Sequence, residues 1–331
     1  MQKTALHGLI LVLFACMAVA HAQQKPQLPG GYPNKPIRII VGAAPGGGAD
    51  ILARMASTKL NERWNHPVIV ENRPSGLGGV IGMEFVAKAP ADGYTLLLAA
   101  SSAVMNAALI TKTSYDVRKD FIPVAQLTAQ PWVLSVTASL PVSSVKELIA
   151  YARSRPGELN YASSGNGSAA HLGMELFNNL TGTKIAHIPY KGIGPGIVDM
   201  IAGRVHMLLA TPAATMPHVK TGKIKALAVT SAKRSRLLPD VPTLIESGLS
   251  GFDVSGWFGL FAPAGTPPAI VQALNREFVA ILNLPEVQTA LLTDGSEPAP
   301  VSPEQFRDSM LRELDRWDRV IKSTNLKLDP D

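Results

Sequence analysis

Two glycine- and serine-rich segments of this sequence each follow a short apolar stretch and precede a helical pattern. The first covers residues 43–48 after the apolar run 37–41, and the second covers residues 163–168 after residues 160–162. Such turns expose backbone N–H groups beside a helix N-terminus, an arrangement that attracts anions. Two of these turns in separate halves of the chain predict a clamp for a small anion such as a carboxylate.

Local structure offers a second explanation for the same residue types. Consecutive glycines cost backbone entropy on folding, so their presence needs an explanation. Either a close approach of the backbone to a ligand or a tight turn between a strand and a helix would require them. Serine and asparagine side chains can donate to a carboxylate, but they also cap the first N–H groups of their own helix. Asp50 falls in the first turn of a predicted helix, where its charge favours the helix dipole, so we interpret it as structural.

The sequence signatures of several other chemistries are absent. No Gly-x-Ser-x-Gly motif occurs, and no lysine of a phosphate-binding loop follows the glycines. The pair Gly76-x-Gly78 lacks the third glycine of a dinucleotide site, because Ile81 occupies that position. We therefore expect neither enzyme activity nor a cofactor. No metal-ligand spacing relates the histidines outside the amino terminus, which are His66, His171, His187, His206 and His218.

The amino terminus has the features of a secretory signal. An apolar stretch ending at Val19 and a small-x-small site at Ala20-His21-Ala22 predict removal of residues 1–22 and export from the cytoplasm. The apolar stretch is too short to span a bilayer. The single cysteine, Cys16, lies inside this signal, and the bulky Phe14 disfavours a lipoprotein cleavage box. The mature chain is therefore expected to form no disulfide and no thiolate metal site.

The composition indicates a compact protein and argues against a nucleic-acid partner. The 331 residues are 46% hydrophobic and 17% charged, which is typical of a globular chain long enough for two domains. A formal net charge of +6 suits an anionic solute, although simple colloidal solubility explains it equally well. The basic residues are scattered and only 6% of residues are aromatic, so we expect no nucleic-acid partner.

Apolar strands and amphipathic helices alternate along the chain. This alternation predicts an α/β fold in which each domain is a mostly parallel sheet flanked by helices. After a linker at residues 23–32, we predict a first domain of residues 33–130 and 253–331 and a second domain of residues 131–252. A domain that is interrupted by another is joined to it by two crossings, which would form a hinge.

Capping signals mark the starts of two helices. Ser144-x-x-Glu147 and Ser302-Pro303-x-Gln305 both have the spacing of a capping box. The second of these begins the last helix of the chain, which we expect to return to the first domain. One apolar stripe follows that helix at Phe306, Met310, Leu311, Leu314, Trp317 and Ile321.

A series of short motifs runs through the chain. They include Tyr32-Pro33-x-Lys35-Pro36-Ile37-Arg38, Pro45-Gly46-Gly47-Gly48-x-Asp50, Asp92-Gly93-Tyr94-Thr95-Leu96-Leu97, Leu159-Asn160-Tyr161-Ala162-Ser163 and His187-Ile188-Pro189-Tyr190-Lys191-Gly192. With these motifs in this order, the sequence resembles the periplasmic solute-binding receptors of tripartite tricarboxylate transporters, the Bug family. The resemblance covers nearly all of the predicted mature chain.

This resemblance implies a two-domain Venus-flytrap fold with a small mono- or dicarboxylate in the interdomain cleft. In such receptors the loops equivalent to residues 43–48 and 163–168 grip a carboxylate through backbone amides and bridging water, and the strand end at Ser101 borders the cleft. The ligand-binding candidates are Ala44, Pro45, Gly46, Gly47, Gly48, Ser101, Ser102, Ser163, Ser164, Gly165, Asn166, Gly167, Ser168, Tyr190, Ala210 and Thr211.

The sequence departs from the family pattern at three places. Its first loop reads Gly42-Ala43-Ala44-Pro45, where many members carry the bulkier Pro-Phe-Pro-Pro, and His206 and Ala210 stand where many members carry aspartate. The resemblance makes Ala210 and Thr211 part of the distal end of the pocket. Without the second aspartate, recognition of a ligand amine is not expected.

The leading hypothesis is an extracytoplasmic solute-binding protein that captures a small organic carboxylate and delivers it to a tripartite tricarboxylate-type transporter. We expect it to act as a monomer. An alternative is a ligand-sensing receptor that feeds a two-component system by docking on a sensor kinase. A third is a periplasmic enzyme acting on a small acid, for which the sequence offers no nucleophile–base set.

Overall fold

A computed structural model describes residues 31–324, except Gly47, 75–78, 110–112, Gly167, Lys191 and Asp294. The predicted signal at residues 1–22, with Cys16, and most of the predicted linker lie outside the described residues.

Strands and helices alternate through most of the described chain, as the sequence predicts. The strands are β1 (Ile37–Val41), β2 (Val68–Asn72), β3 (Thr95–Ala100), β4 (Phe121–Pro131), β5 (Val133–Thr137), β6 (Asn160–Ser163), β7 (Ala186–Pro189), β8 (Met207–Ala210), β9 (Ile224–Val229), β10 (Ser255–Pro263) and β11 (Glu297–Pro298). The helices are α1 (Gly48–Trp64), α2 (Val80–Ala87), α3 (Ser101–Leu109), α4 (Val145–Ser154), α5 (Ala169–Thr181), α6 (Ile193–Ile201), α7 (Pro212–Lys220), α8 (Pro268–Leu282), α9 (Pro285–Thr293) and α10 (Pro303–Thr324).

The described strands form two separate sheets. The first has the order β11-β4-β10-β3-β1-β2, and the second has the order β7-β6-β8-β5-β9. Four strands of the first sheet, β1 to β4, run in one direction, and four of the five in the second sheet also share a direction. The central parallel strands β1, β3, β6 and β8 are buried on both faces, which their continuous apolar runs predict. In β3, for example, Leu97 packs into one hydrophobic cluster and Leu98 into another.

The antiparallel strands β5 and β10 carry the chain between the two sheets. A single residue, Trp132, separates the end of β4 from the start of β5. Its backbone N–H donates to Thr230 Oγ1 at 2.9 Å, and the Thr230 carbonyl accepts from Val254 N at 3.0 Å just before β10 begins. Ser255, the first residue of β10, pairs with Pro131. The outgoing and returning crossings therefore lie side by side.

The register of these strands fixes which sheet edges meet at the crossings. Val133 at the start of β5 pairs with Ala210, the last residue of β8, and Phe258 near the start of β10 pairs with Ala100, the last residue of β3. The carboxyl ends of the parallel strands in both sheets therefore lie on the side of the crossings. This edge of an α/β sheet is where ligands usually bind.

The predicted caps and the apolar stripe of α10 are confirmed. Ser144 Oγ accepts from Glu147 N at 3.2 Å, and Ser302 with Gln305 makes both bonds of a capping box. The last helix packs its stripe on β4 of the first sheet, and it also contacts α5, which covers the second sheet. The helix therefore touches structure on both sides of the crossings.

Several elements were missed by the sequence analysis: β4, α3, α7 and α9. Pro123 interrupts the apolar pattern of β4, and a register shift against β10 accommodates it. Pro217 lies inside α7, and a proline within a helical pattern usually indicates that the helix ends there. The helix α3 begins at Ser101 directly after β3, where the sequence indicated only the end of a strand.

We expect Gly259 of β10 and Phe306 of α10 to be energetically coupled. A Cβ atom at Gly259 would overlap the Phe306 ring, so Gly259→Ala should cost about 1–3 kcal/mol of unfolding free energy through overpacking. Phe306→Ala removes a buried ring and should cost about 3–5 kcal/mol. The double variant should lose clearly less than the sum, because the clash is gone. Denaturant unfolding of the four proteins measures this coupling, and additive losses would contradict the packing described.

Candidate functional site

The two predicted anion-binding segments lie at equivalent positions in the two sheets. Residues 43–48 follow the carboxyl end of β1 and lead into α1, and residues 163–168 follow β6 and lead into α5. Six helices (α1, α2, α3, α5, α6 and α7) begin at these two carboxyl edges. Their N-termini carry partial positive charge, so the side of the molecule at the crossings is electrostatically suited to an anion.

A buried carboxylate fixes the first segment from below. Asp50 is 3% exposed and accepts from Gly46 N at 2.9 Å and from Asn72 Nδ2 at 2.9 Å. The same Asn72 amide donates to the Ala43 carbonyl at 3.0 Å. The Arg54 guanidinium beside Asp50 lowers the pKa of that carboxyl to about 2. Asp50 therefore holds the loop as a structural group, as predicted, and Arg54 offsets its charge.

The upper surface of this segment is open. Ala44, Pro45 and Gly46 are exposed, and Gly46 has a positive φ of 84° that favours glycine. Gly48 begins α1, where a Cβ atom would come within 3.2 Å of Phe258 Cζ. Gly47 lies outside the described residues.

A cavity of about 340 Å³ lies beside this loop at the carboxyl ends of β1 and β3. Ala43, Ala44 and Ser102 are on its wall. The two candidate serines after β3 differ: Ser101 is buried with its Oγ accepting from Trp257 N at 3.3 Å, whereas Ser102 is exposed. Ser101 therefore supports β10, and Ser102 is the one available to a ligand, a distinction that the sequence did not make.

Ser163 lies beneath the second segment and does not form part of its surface. It is fully buried, its Oγ accepts from Gly165 N at 3.1 Å, and it is 2.6 Å from His187 Nε2. Ser163 therefore supports the loop in this structure, and its role as a ligand donor stays a prediction. Ser164 and Asn166 are exposed, and Ser168 caps α5 by accepting from His171 N at 3.3 Å. Gly167 lies outside the described residues.

Sequence reasoning missed a cluster of rings under this loop. His187 stacks on His171 with ring centroids 3.8 Å apart and on Tyr161 at 5.0 Å. The Tyr161 hydroxyl donates to Glu175 Oε1 at 2.7 Å. Burial lowers the pKa of both His171 and His187 to about 4, so both rings are neutral at pH 7. The register pairs Tyr161 with His187 across β6 and β7, a contact that only strand pairing reveals.

Ser163 and His187 have the separation of a nucleophile and its base, a pair that the sequence did not indicate. The serine side chain is inaccessible, however, since Ser163 has no exposed surface. Its oxygen is also engaged by the loop that it supports. The pair therefore positions residues 164–166 and presents no nucleophile to a substrate in this structure.

The remaining candidates lie near the ends of β7 and β8. The Tyr190 hydroxyl donates to Asp199 Oδ2 at 2.7 Å, Ala210 is buried in the core, and Thr211 makes no side-chain cap to α7. Ala210 packs in the core at the end of β8, and its place on the pocket wall stays a prediction. His206 precedes β8 and bonds to Asn160, at the opposite end of the strand from Thr211.

The described residues contain no group of three or more His, Cys, Asp or Glu side chains arranged to hold a metal ion. Within the same part of the chain, no helix combines the length and the apolar character needed to cross a membrane.

Comparison with known proteins decides the family. A sequence profile described as "Tripartite tricarboxylate transporter family receptor" matches residues 52–326. This chain belongs to that family. It is also 39% identical over 330 residues to BugT of Bordetella pertussis, covering 99% of this chain and 100% of BugT.

Solved structures of the receptor family share the fold. The structure "R. palustris Rpa4515 with adipate" is 38% identical and has a TM-score of 0.69, covering 89% of this chain and 99% of that one. A TctC solute-binding protein from Polaromonas, solved with no ligand, is 31% identical with a TM-score of 0.79, covering 88% and 99%. The two sheets and their helices are therefore the periplasmic-binding-protein fold that the resemblance implied.

Protonation of the histidine stack should destabilise this receptor in mild acid. The pKa of His187 is lower in the folded chain than in the unfolded chain, so the unfolded state binds more protons between about pH 6.5 and pH 4. Stability should therefore fall across that range as the pH decreases. His187→Gln should flatten this part of the profile, measured as melting temperature at pH 7 and pH 5. The surface variant His218→Gln is the control, and an unchanged slope in His187→Gln would contradict the assignment.

Proposed function

We propose that this protein is an extracytoplasmic receptor that binds a small organic carboxylate between two lobes. The lobes are the predicted domains, residues 33–130 with 253–331 and residues 131–252, and the hinge is the pair of crossings at Trp132 and Val254. The observation that carries the proposal is the position of the two glycine-rich loops at carboxyl edges that share the crossings. Membership of the receptor family supports it independently.

Recognition of the acid depends on the main chain in this proposal. Backbone N–H groups within residues 44–48 and 164–168 that make no bond inside the loops replace the hydration shell of the carboxylate. Pro45 has no N–H group, and the N–H groups of Gly46 and Gly165 already bond to Asp50 and Ser163. Hydrogen bonds to a charged group contribute roughly 1.5–3 kcal/mol each. About four or five of them offset desolvation and closure costs and leave a Kd near ~1 µM, roughly −8 kcal/mol. The adipate bound to the R. palustris relative is consistent with a ligand of this class.

We infer that the conformation described here is the open, ligand-free one. The chain superposes better on the ligand-free Polaromonas protein, at a TM-score of 0.79, than on the adipate complex, at 0.69, although it is more identical in sequence to the latter. Each lobe alone supplies only half of the contacts, so a bound acid favours the closed state.

Delivery to a tripartite tricarboxylate-type transporter follows from the family, whose description names that transporter. The proposed location is the periplasm and the proposed active form is a monomer. No observation on the described residues favours a receptor that docks on a sensor kinase over a receptor that delivers its ligand to a transporter.

Closure predicts a change of shape in solution. Small-angle scattering with and without saturating adipate, or another acid shown to bind by calorimetry, should show a smaller radius of gyration in the complex. The expected cause is approach of the two sheets about the crossings. An unchanged scattering profile with a fully bound acid would contradict the hinge.

The contribution of the second loop to acid binding can be tested by substituting Gly165. Gly165 has a φ of 130°, which side chains rarely adopt, so Gly165→Val should distort the loop and weaken acid binding at least tenfold. Gly157→Val is the matched control, because Gly157 also has a positive φ, of 82°, and lies in an exposed turn away from the loop. Both variants should lose similar stability, but only the first should lose affinity in calorimetry. Equal affinities of the two variants would remove residues 164–168 from the site.

A further inference from the structure

The cavity beside the first loop is lined mainly by apolar side chains. Among the described residues that line it, Ser102 has the only polar side chain and none is charged. Its volume of about 340 Å³ is at the small end of the range for ligand pockets. The wall is formed by Gly42, Ala43, Ala44, Ala49, Pro74, Gly79, Met83, Leu97, Leu98, Ala99, Ala100, Ser102 and Ala103.

Small residues create this space. Gly42 and Gly79 are so close that a Cβ atom at Gly42 would lie 2.7 Å from the Gly79 Cα, which brings the start of α2 against the end of β1. The small side chains of Ala43 and Ala44 leave the cavity open, whereas bulkier loop residues would fill it. Met83 is 1% exposed, and its flexible thioether side chain can adapt to a ligand's shape.

The charged groups nearest in sequence to the wall already have partners. Arg73 lies 2.6 Å from Glu71 and stacks on the Phe85 ring at 3.7 Å, and Asp50 is bound to Arg54 and Asn72. Among the described lining residues, a hydroxyl or ammonium group entering the cavity would meet one polar side chain, the Ser102 hydroxyl, besides main-chain groups. Burial of a polar group without a hydrogen-bond partner is unfavourable, so such ligands are disfavoured there.

We propose that this cavity holds the apolar body of the acid, so that the receptor selects aliphatic or aromatic carboxylates over hydroxylated acids and amino acids. The proposal rests on the proposed function, because the carboxylate is held by the adjacent loop. Ala43 and Ala44 are the residues that set this preference, since they leave the cavity open. The length of the apolar body is limited by Met83 and Leu97 at the buried end.

Calorimetry of a homologous series tests the selection. Affinity should rise about fourfold for each methylene from propanoate to hexanoate and then level off when the cavity is full. Hexanoate should bind at least tenfold more tightly than 6-hydroxyhexanoate, and malate and citrate should bind more weakly still. Affinity that is flat along the series, or higher for the hydroxylated acids, would overturn the inference while leaving carboxylate binding intact. Binding of no acid in the panel would overturn the proposed function as well.

A substitution in the loop tests the cavity itself. Ala44→Phe should reduce hexanoate affinity at least tenfold and should reduce it more than propanoate affinity, because the ring occupies the space for the longer chain. Ala264→Phe is the matched control, at another exposed alanine outside the cavity. Melting curves of both variants establish that they fold. Equal losses for the two acids in Ala44→Phe would show that the cavity does not hold the apolar body.

Discussion

The pairing of the two crossings determines what the rest of this molecule can do. Trp132 and Thr230 bond to each other through both main-chain and side-chain groups, and Val254 joins them from the returning strand. This contact sets the carboxyl edges of two separate sheets on the same side of the molecule. Two loops that are more than a hundred residues apart in sequence therefore both follow strand ends on the side of the crossings.

Each of the two loops is held by a buried polar group below it. In the first sheet this group is Asp50, whose carboxylate bonds to the main chain of the loop and is neutralised by Arg54. In the second it is Ser163, whose hydroxyl bonds to Gly165 and lies against His187. Asp50 and Ser163 each fix the main chain of a loop by accepting from one of its N–H groups, that of Gly46 or Gly165. In the proposed function the other N–H groups of the loop are thereby positioned before a ligand arrives, which lowers the ordering cost of binding.

A partly buried carboxylate of α10 supports the returning strand. Glu313 of α10 accepts from Trp257 Nε1 at 2.7 Å, and burial raises the pKa of its carboxyl. Trp257 in turn donates its backbone N–H to Ser101 at the start of α3. The last helix is therefore connected through β10 to the carboxyl end of β3, next to the proposed binding region. Because α10 also contacts α5, motion of the lobes must preserve or rearrange that helix contact.

Much of the fold and part of the candidate site could be predicted from the sequence. Periodicity and capping signals are local, so strand β1 and the starts of α4, α5 and α10 were predicted closely. The positions of the glycine-rich loops followed from the same local order. Long strands interrupted by proline, such as β4, were missed because their pairing with β10 compensates for the interruption.

The roles of individual side chains were decided only by the tertiary structure. The sequence treats Ser101 and Ser102, or Ser163 and Ser164, as equivalent neighbours. Strand pairing and helix packing bury the first of each pair and expose the second. The apolar cavity likewise depends on the close approach of Gly42 to Gly79, a contact between residues from different elements. The sequence determines which residues can donate a hydrogen bond and which are small enough to leave a cavity. Burial and hydrogen-bond partners decide which of these residues are available to a ligand, and both depend on contacts between residues that are distant in sequence.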